Sequence, residues 1–271
     1  MNNLPKGAAT FEALEISASA PPRSLSRTLA EEVPVALSYD GSTQAVMMAS
    51  PSDLEDFAYG FSLTEGIITH PDQITDLSIE PHASGTELRM WLATDQARAL
   101  TTRRRAMTGP VGCGLCGIDS LSEATRALPR ITADPRLPLA SVLGATEALR
   151  AAQPLHDATR SVHAAGFLTR DGLLLAREDV GRHNALDKVI GALTRKGIAP
   201  ATGAFVLTSR VSIELVQKCA LAGSGLLIAV SAPTTRAIAT ADAAGVTLVA
   251  LSRAASVLAF THTSRLTGNA P

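Results

Sequence analysis

Predicted helices and strands alternate at short spacing from about residue 139 onwards, and this alternation constrains the fold more than any other feature of the sequence. The segments 205–208 and 226–230 are continuously apolar, as strands buried on both faces are. Glycines that can close a helix in the left-handed conformation follow three predicted helices, at Gly197, Gly223 and Gly245. The predicted helices are 140–152, 184–196, 211–222 and 234–244, and the predicted strands are 163–169, 173–178, 203–208, 225–230 and 246–251. The pattern predicts an α/β layered domain over residues 136–271, with a mostly parallel sheet.

The first half of the chain predicts a smaller α+β domain over residues 27–135, preceded by a flexible arm at 1–26 that is rich in Ala, Ser and Pro. Strands are predicted at 32–39, 45–49, 74–80 and 87–93, and short helices from Asp95 and over 121–128. Ser52 and Glu55 have the spacing of a capping box, which predicts a helix that begins there and ends near Gly66. The prolines that mark a connector between the two domains are Pro129, Pro135 and Pro138.

Composition excludes several classes of protein. A formal net charge of −1 over 271 residues argues against bulk electrostatic binding of nucleic acid. No apolar run approaches the roughly 20 residues that a membrane-spanning helix needs, and the first residues carry acids rather than the apolar core of a secretory signal. Three cysteines do not indicate a disulfide framework, so we expect a cytoplasmic protein that is neither membrane-bound nor bound to nucleic acid.

Two of the three cysteines lie in a glycine-rich loop over residues 109–118, in the run Gly112-Cys113-Gly114-Leu115-Cys116-Gly117. Glycine is costly within helices and strands, and Pro110 lacks a backbone donor, so a loop is expected. The densest positive run of the chain, residues 103–105, lies just upstream. Cations near a thiol favour the nucleophilic thiolate. These features predict an accessible, cation-assisted sulfur site.

Other interpretations of the same loop remain open. A C-x-x-C pair is often half of a zinc site, and His163 or His183 could complete it. A thioredoxin-type redox pair fits this loop less well, because a thioredoxin motif opens a helix directly after a strand. Two incidental thiols are a third interpretation, and the arginines could form one solvated helix face.

Polar side chains follow four of the five predicted strands of the second half, and ligands bind beyond the carboxyl ends of strands in open α/β sheets. These residues are Glu178, Arg182 and His183; Ser209, Arg210, Ser212 and Glu214; Ser231 and Thr234; and Ser252 and Arg253. Helix N-termini bind anions and arginines can form bidentate contacts with phosphate, so the loops predict a phosphate-bearing ligand. The alternatives are structural: Ser231 or Thr234 as helix caps, and Glu178–Arg182 or His183–Asp187 as i,i+4 pairs.

The sequence lacks a GxxxxGK[ST] loop and a GxGxxG turn after a strand, so neither a P-loop nor a Rossmann fingerprint is present. Zinc deaminases need H-x-E, and Ala165 stands where that glutamate would be after His163. Deaminase chemistry is therefore disfavoured, and a lone His163 entering a strand is more often structural than catalytic.

Several motifs together resemble one family, the formate dehydrogenase accessory sulfurtransferases (FdhD), in the same order and over about residues 28–253. They are Glu31-Glu32-Val33-Pro34-Val35-Ala36-Leu37, Ala49-Ser50-Pro51-Ser52-Asp53-Leu54-Glu55-Asp56-Phe57-Ala58, Thr64-Glu65-Gly66-Ile67-Ile68, Cys113-Gly114-Leu115-Cys116-Gly117, Glu178-Asp179-Val180-Gly181-Arg182-His183-Asn184-Ala185-Leu186-Asp187-Lys188 and Ser231-Ala232-Pro233-Thr234. The run from 178 to 188 is the longest and most specific of them.

The resemblance implies a sulfurtransferase that takes sulfur from a cysteine desulfurase as a cysteine persulfide and passes it to the molybdenum cofactor, bis-molybdopterin guanine dinucleotide. The sulfurated cofactor then reaches the formate dehydrogenase catalytic subunit. The resemblance also implies a three-layer, cytidine-deaminase-like C-terminal domain and a homodimer.

By motif match, Cys113 is the expected persulfide carrier and Cys116 its partner. The expected cofactor-binding residues are Arg182, His183, Ser209, Arg210, Ser212, Ser231, Thr234, Leu251, Ser252, Arg253, Ala254, Ala255 and Ser256. GDP or GTP would mimic the cofactor.

The chain departs from the family pattern at Ser209, where glycine is usual, at Arg160 and Ser161, and after Arg253. The alternative function from another class is a zinc-containing chaperone that binds the cofactor without covalent sulfur transfer.

Overall fold

The structure is a computed structural model that describes residues 4–106, 128–253 and 256–268. The Cys loop with Cys113 and Cys116, nearly all of the helix predicted at 121–128, and Ala254 and Ala255 lie outside the described residues. The strands are β1 Ala8–Glu15, β2 Arg23–Ala30, β3 Val33–Tyr39, β4 Ser42–Ala49, β5 Ile74–His82, β6 Gly85–Leu92, β7 Leu137–Pro138, β8 His163–Thr169, β9 Gly172–Asp179, β10 Ala204–Leu207, β11 Leu226–Ala229, β12 Thr247–Arg253, β13 Ser256–Ala259 and β14 Leu266–Thr267. The helices are α1 Leu54–Thr64, α2 Thr94–Ala106, α3 Leu139–Ala151, α4 Pro154–Thr159, α5 Arg182–Arg195, α6 Ile213–Leu221 and α7 Thr235–Ala244, with short 3-10 turns at Pro71–Gln73, Pro200–Thr202 and Thr263–Arg265.

The N-terminal segment forms a two-stranded antiparallel ribbon, in which β1 pairs with β2 from Ala8 opposite Ala30 to Glu15 opposite Arg23. These strands were not predicted from the sequence, where residues 1–26 were expected to form a flexible arm, and that flexibility stays a prediction. The segment's Ala, Ser and Pro content concealed an alternating pattern, in which Phe11 and Ala13 share one face of the ribbon with Leu25.

The first half of the chain forms a four-stranded sheet in the order β4-β3-β6-β5, in which only β3 and β6 are parallel. Helix α1 buries Phe57 and Phe61 against this sheet. The predicted capping box is wrong, because the residue before α1 is Asp53, in a left-handed conformation with no side-chain cap. The arginines at 103–105 belong to α2, the helix that the sequence predicted from Asp95.

The second half forms a six-stranded sheet in the order β13-β12-β11-β10-β8-β9. Two of its five pairings are parallel, β10–β11 and β11–β12, and the other three are antiparallel. The prediction of a mostly parallel sheet is therefore corrected to a mixed sheet. The departure comes from the β8–β9 hairpin, which turns at Arg170-Asp171, and from β13, which folds back along β12.

Helices cover both faces of this sheet. On one face, side chains of α5, α6 and α7 pack with Phe167, Phe205 and Leu248 of the strands. On the other face, Val142 and Leu149 of α3 pack with strand residues of alternate register, such as Val206. The fully apolar strands β10 and β11 are buried throughout, as their sequences predicted.

The two halves of the chain meet where α1 crosses α5 with backbone in direct contact. A Cβ added at Gly60 would stand 1.8 Å from the Asp187 carbonyl oxygen, and one at Gly191 would stand 1.8 Å from that of Asp56. Only glycine permits this approach. The crossing fixes α5 against the first half of the chain, and the domain boundary near residue 135 stays a prediction.

Candidate functional site

The polar loops predicted to share one sheet edge are joined to each other by main-chain hydrogen bonds. In the loop after β10, Val211 N donates to Ala232 O at 3.2 Å and Val211 O accepts from Thr234 N at 3.0 Å. The end of β12 joins them, because Leu251 N donates to Ser231 O at 3.3 Å. The loops after β10 and β11 and the end of β12 therefore form one continuous surface, from which α6 and α7 begin.

The predicted binding residues on these loops differ in exposure. Arg210 and Arg253 are exposed, Ser256 is exposed, and Ser231 is partly buried. Ser209 is buried and its hydroxyl donates to Arg210 O at 3.0 Å. Two arginines and Ser231 are thus available to a ligand, while Ser209 is engaged in shaping its own loop.

Two further predicted residues have structural partners. Thr234 caps α7, since its Oγ1 accepts from Ala237 N at 3.1 Å, as the structural alternative proposed. Ser252 is buried, with its hydroxyl 3.5 Å from that of Thr146.

Leu251 has a φ of 53°, in the left-handed region that costs an ordinary L-residue roughly 1–2 kcal/mol. Its bond to Ser231 O holds it in this conformation. Strain of this kind concentrates at functional sites, and here it lies in the segment that the family resemblance assigned to the cofactor.

The motif of residues 178–188 is mainly a polar junction between the two halves of the chain. Asp179 is fully buried, and its carboxylate accepts from Ser50 N at 3.0 Å, Gly181 N at 2.8 Å and Asn184 Nδ2 at 3.0 Å. Lys188, equally buried, donates to it at 2.6 Å and to Ser50 O at 3.0 Å. The junction therefore connects the start of α5 to the segment that follows β4.

A second buried charge cluster is centred on Asp187, the residue directly before Lys188 in α5. Asp187 accepts from Lys218 Nζ at 2.9 Å and from Thr64 Oγ1 at 2.8 Å, and Lys218 also donates to Glu65 at 3.1 Å. Burial raises the pKa of Asp187 to about 6, against the lowering effect of Lys218. The predicted His183–Asp187 pair is thus absent, because Asp187 faces α1 and α6.

Glu178 likewise does not pair with Arg182. Its carboxylate accepts from the main-chain nitrogens of Leu155 at 2.8 Å and His156 at 2.7 Å, at the start of α4. Burial raises the pKa of Glu178 despite these bonds.

A cavity of about 210 Å³ lies between β4 and the start of α5, and the polar side chains on its wall include Arg182 and His183 of the motif and His163 of β8. Burial, and then the neighbouring Arg182, lower the pKa of His183 to about 4 and lower the pKa of His163 as well. His183 Nε2 is 3.5 Å from Ser212 Oγ and 3.8 Å from Glu214 Oε2. The cavity therefore holds one fixed cation and two neutral imidazoles.

Sequence reasoning missed several residues that build this region. Ser50 and Thr64 lie within quoted motifs, yet nothing in their spacing showed that they bond across to α5. Lys218 interrupts an otherwise apolar helical pattern, which is a readable signal of a buried ion pair. His163, which we expected to be structural, lies on the cavity wall.

The thiol of the third cysteine is buried and unreactive. Cys219 is fully buried, and burial raises the pKa of its thiol to about 12. No cluster of three or more potential metal-ligating side chains occurs among the described residues, which do not include Cys113 and Cys116. Within the same part of the chain, no helix is both long and apolar enough to cross a bilayer.

Comparisons with known proteins agree on one family. The FdhD/NarQ family model matches residues 30–267. The chain is 51% identical over 242 residues to the sulfur carrier protein FdhD of Agrobacterium fabrum, covering 89% of each chain. It is 50% identical over 243 residues to that of Brucella abortus, covering 89% of this chain and 90% of the relative.

A solved structure shares the fold. It is a Desulfotalea psychrophila protein described as a formate dehydrogenase accessory protein, with a TM-score of 0.77 and 24% identity over 96% of this chain and 99% of that chain. A match over most of the chain, with half of the aligned residues identical, establishes the family. The chain belongs to the FdhD/NarQ family.

Proposed function

We propose that this protein is a sulfur carrier that serves the maturation of formate dehydrogenase. The names of its relatives support the role in general terms: sulfur carrier protein FdhD for those of Agrobacterium and Brucella. The sequence supplies the chemical group, a C-x-x-C pair in a glycine-rich loop downstream of three arginines. The observation that carries the proposal is the combination of this pair with a polar sheet edge formed by bonded post-strand loops.

The sulfur step is a thiol exchange. The Cys113 thiolate attacks the outer sulfur of the persulfide on a cysteine desulfurase. The S–S bond of the donor breaks, a Cys113 persulfide forms, and the donor cysteine leaves as a thiolate. No net oxidation occurs, since the sulfane sulfur only changes its carrier.

Release as sulfide requires two electrons. Attack of the Cys116 thiolate on the inner sulfur of the persulfide forms a Cys113–Cys116 disulfide and expels the outer sulfur as HS⁻. A cellular dithiol reductant then restores the pair. The acceptor in this proposal is bis-molybdopterin guanine dinucleotide, which continues to the formate dehydrogenase catalytic subunit as the protein's cargo.

The sheet edge supports the choice of a nucleotide-bearing cargo. Helices α5, α6 and α7 all begin at this edge, and helix N-termini favour phosphate. Arg210 and Arg253 are exposed beside them, and Leu251, with its left-handed backbone, lies near the end of β12. We include a homodimer in the proposal as the assembly that the family resemblance implies.

Intact mass after incubation with a cysteine desulfurase and cysteine tests the sulfur step. We expect a gain of one sulfur atom that a reductant reverses and that Cys113→Ala abolishes. Cys219→Ser is the matched control, because this buried thiol should contribute nothing to the gain. A normal gain in Cys113→Ala, or none in the wild type with an active desulfurase, would refute sulfur carriage by Cys113.

GDP titration tests the cargo site separately. Arg210→Ala should weaken GDP binding by about 1.5–3 kcal/mol, the range for a hydrogen bond to a charged group. Arg170→Ala is a control, because Arg170 is exposed in the β8–β9 turn at the opposite sheet edge. Equal GDP affinity in wild type and Arg210→Ala would remove Arg210 from the site.

A zinc-containing chaperone is the second candidate, and the C-x-x-C pattern is the observation that favours it. His163 and His183 line one cavity and are held neutral, as zinc ligands must be. Metal analysis separates the two functions. One zinc per chain that is lost in Cys113→Ala would support the chaperone, and a metal-free protein that carries sulfur would exclude it.

A further inference from the structure

The ribbon formed by β1 and β2 precedes the part of the chain that matches the family. The family model begins at residue 30, whereas the ribbon runs from Ala8 to Ala30. Its root is held by the rest of the chain, because Gly7 is buried beside Pro51 and Leu155. The motifs of the family therefore leave the ribbon without an assigned function.

One face of the ribbon is apolar. Side chains alternate between the two faces of a strand, and residues paired directly across two strands share a face. Phe11 lies opposite Arg27 on this face, and Ala13 lies opposite Leu25. The apolar face consists of Ala9, Phe11, Ala13, Leu25 and Leu29 around Arg27, and the other face carries Thr10, Glu12, Ser24, Ser26 and Thr28.

The described part of the chain leaves this apolar face open to solvent. Phe11 is 57% exposed and Leu29 is 42% exposed, and every residue of β1 beyond Ala9 is exposed. A two-stranded ribbon is at best marginally stable in water on its own, and an uncovered apolar strand invites pairing with another chain. The ribbon therefore needs a surface to pack against that the described residues do not supply.

The charges of the ribbon balance one another. It carries two carboxylates, Glu12 and Glu15, and two guanidinium groups, Arg23 and Arg27, and Arg23 forms an ion pair with Glu15. A segment without net charge has no electrostatic preference for nucleic acid or for a strongly charged protein. Apolar area therefore decides which partner the ribbon fits.

That area favours a second copy of this chain over a different protein. Eight paired residues at about 3.3 Å each, in two strands about 4.8 Å apart, give one face of roughly 260 Å². Packing this face on one other surface would bury about 520 Å² over both partners, whereas a specific interface needs about 1,000 Å² or more. Two ribbons that each lie on the body of the other copy would bury about 1,040 Å², because two-fold symmetry repeats the contact.

We propose that the ribbon is an exchanged dimerisation arm, whose apolar face packs on the body of a second copy while the ribbon of that copy packs in return. The proposal takes the homodimer from the proposed function and adds the surface that forms it. Because both copies contribute the same element, the contact closes with two-fold symmetry. Two ribbons stacked only on each other would bury half of this area, so each arm reaches the body of its partner.

Sedimentation equilibrium of the full chain tests the arm with Phe11→Glu. The new carboxylate would lie opposite Arg27, and a cross-strand pair of opposite charges supports the ribbon itself. The same substitution places a charge where the proposal has an apolar anchor, so it should raise the dimer Kd about tenfold or more. Far-ultraviolet circular dichroism should show that the variant stays folded.

Ser26→Lys is the matched control. It also introduces a charge, but on the polar face opposite Glu12, and it should leave the dimer Kd unchanged. Hydrogen exchange gives a second readout, since the amides of β1 and β2 should exchange more slowly in the wild-type dimer than in wild type diluted to the monomer. Equal exchange in both states would contradict the arm.

The failure of the arm differs from the failure of the homodimer. A wild-type dimer whose Kd is unchanged by Phe11→Glu would overturn the arm alone, and the ribbon would then pack on a different protein or on a part of this chain outside the described residues. Equal weakening by Ser26→Lys would overturn the assignment to the apolar face. A folded wild type that stays monomeric at millimolar concentration would overturn both the arm and the homodimer, and the persulfide assay on Cys113 would remain an independent test of sulfur carriage.

Discussion

Replacing Lys188 by methionine should destabilise the protein more than most single substitutions. Lys188 and Asp179 are both fully buried and 2.6 Å apart, and Lys188→Met leaves the carboxylate with three neutral donors and no counter-charge. Breaking a buried pair by removing one partner costs about 3–5 kcal/mol. Against a typical total stability of about 5–15 kcal/mol, this is a large fraction.

Urea unfolding at neutral pH measures the loss. The single tryptophan of the chain, Trp91, lies in the first sheet and far-ultraviolet circular dichroism reports the whole chain, so coincident transitions would validate a two-state treatment. A double-mutant cycle with Asp179→Asn isolates the pair. We expect the double variant to be more stable than Lys188→Met alone, since it no longer buries an unpaired charge.

Two results would refute this reasoning. A loss of stability below about 1 kcal/mol in Lys188→Met would mean that the three neutral donors are enough for the Asp179 carboxylate. The buried pair would then contribute no more than a surface ion pair does. Strict additivity in the cycle would mean that the two side chains do not interact, despite their separation.

Three further predictions concern stability. Gly60→Ala should lower the free energy of unfolding in urea by about 3 kcal/mol or more, because its Cβ would lie 1.8 Å from the Asp187 carbonyl oxygen. Gly144→Ala, with open space around it, should raise that free energy by about 0.5–1 kcal/mol. Equal effects of the two substitutions would contradict the backbone contact. Thr234→Ala should lose about 1 kcal/mol as a missing cap and Thr234→Ser should retain most of it; no loss in either would contradict the cap. The pKa of His183 is about 4 in the folded state and about 6.5 in the unfolded state. Between these pH values the unfolded state binds more protons, so lowering the pH favours unfolding. From pH 6.5 to pH 4, the stability of the wild type should therefore fall by about 3 kcal/mol relative to His183→Gln. The raised pKa of Asp187 acts with the opposite sign in both proteins and cancels, so a pH-independent difference would refute the assignment.

The strands of the second half could be predicted because their sequences are compatible with few other structures. The apolar runs at β10 and β11 and the glycine at Gly245, where φ is 74°, fixed elements to within two residues. Strand direction was misjudged although Asp171-Gly172 is a hairpin turn signal. The N-terminal ribbon was missed because prolines and small residues at 17–22 resemble a disordered segment more than a turn.

The site was predictable as a location but not as a set of contacts. The rule for the carboxyl ends of strands placed Arg182, His183 and the serine loops at one sheet edge, where the structure has them. It could not show that Thr234 is a cap, because capping and ligand binding use the same residue types at the same position. Which of these loops binds the cargo therefore stays a prediction.

The long motif at 178–188 shows why a specific sequence run need not be a list of ligand contacts. Asp179, Asn184 and Lys188 bond to the segment after β4, and Asp187 bonds to the end of α1. These bonds leave Arg182 and His183 on the cavity with their backbone held from two sides. A substitution within the junction would therefore reach the cavity by moving the start of α5, with no change in any group that lines it.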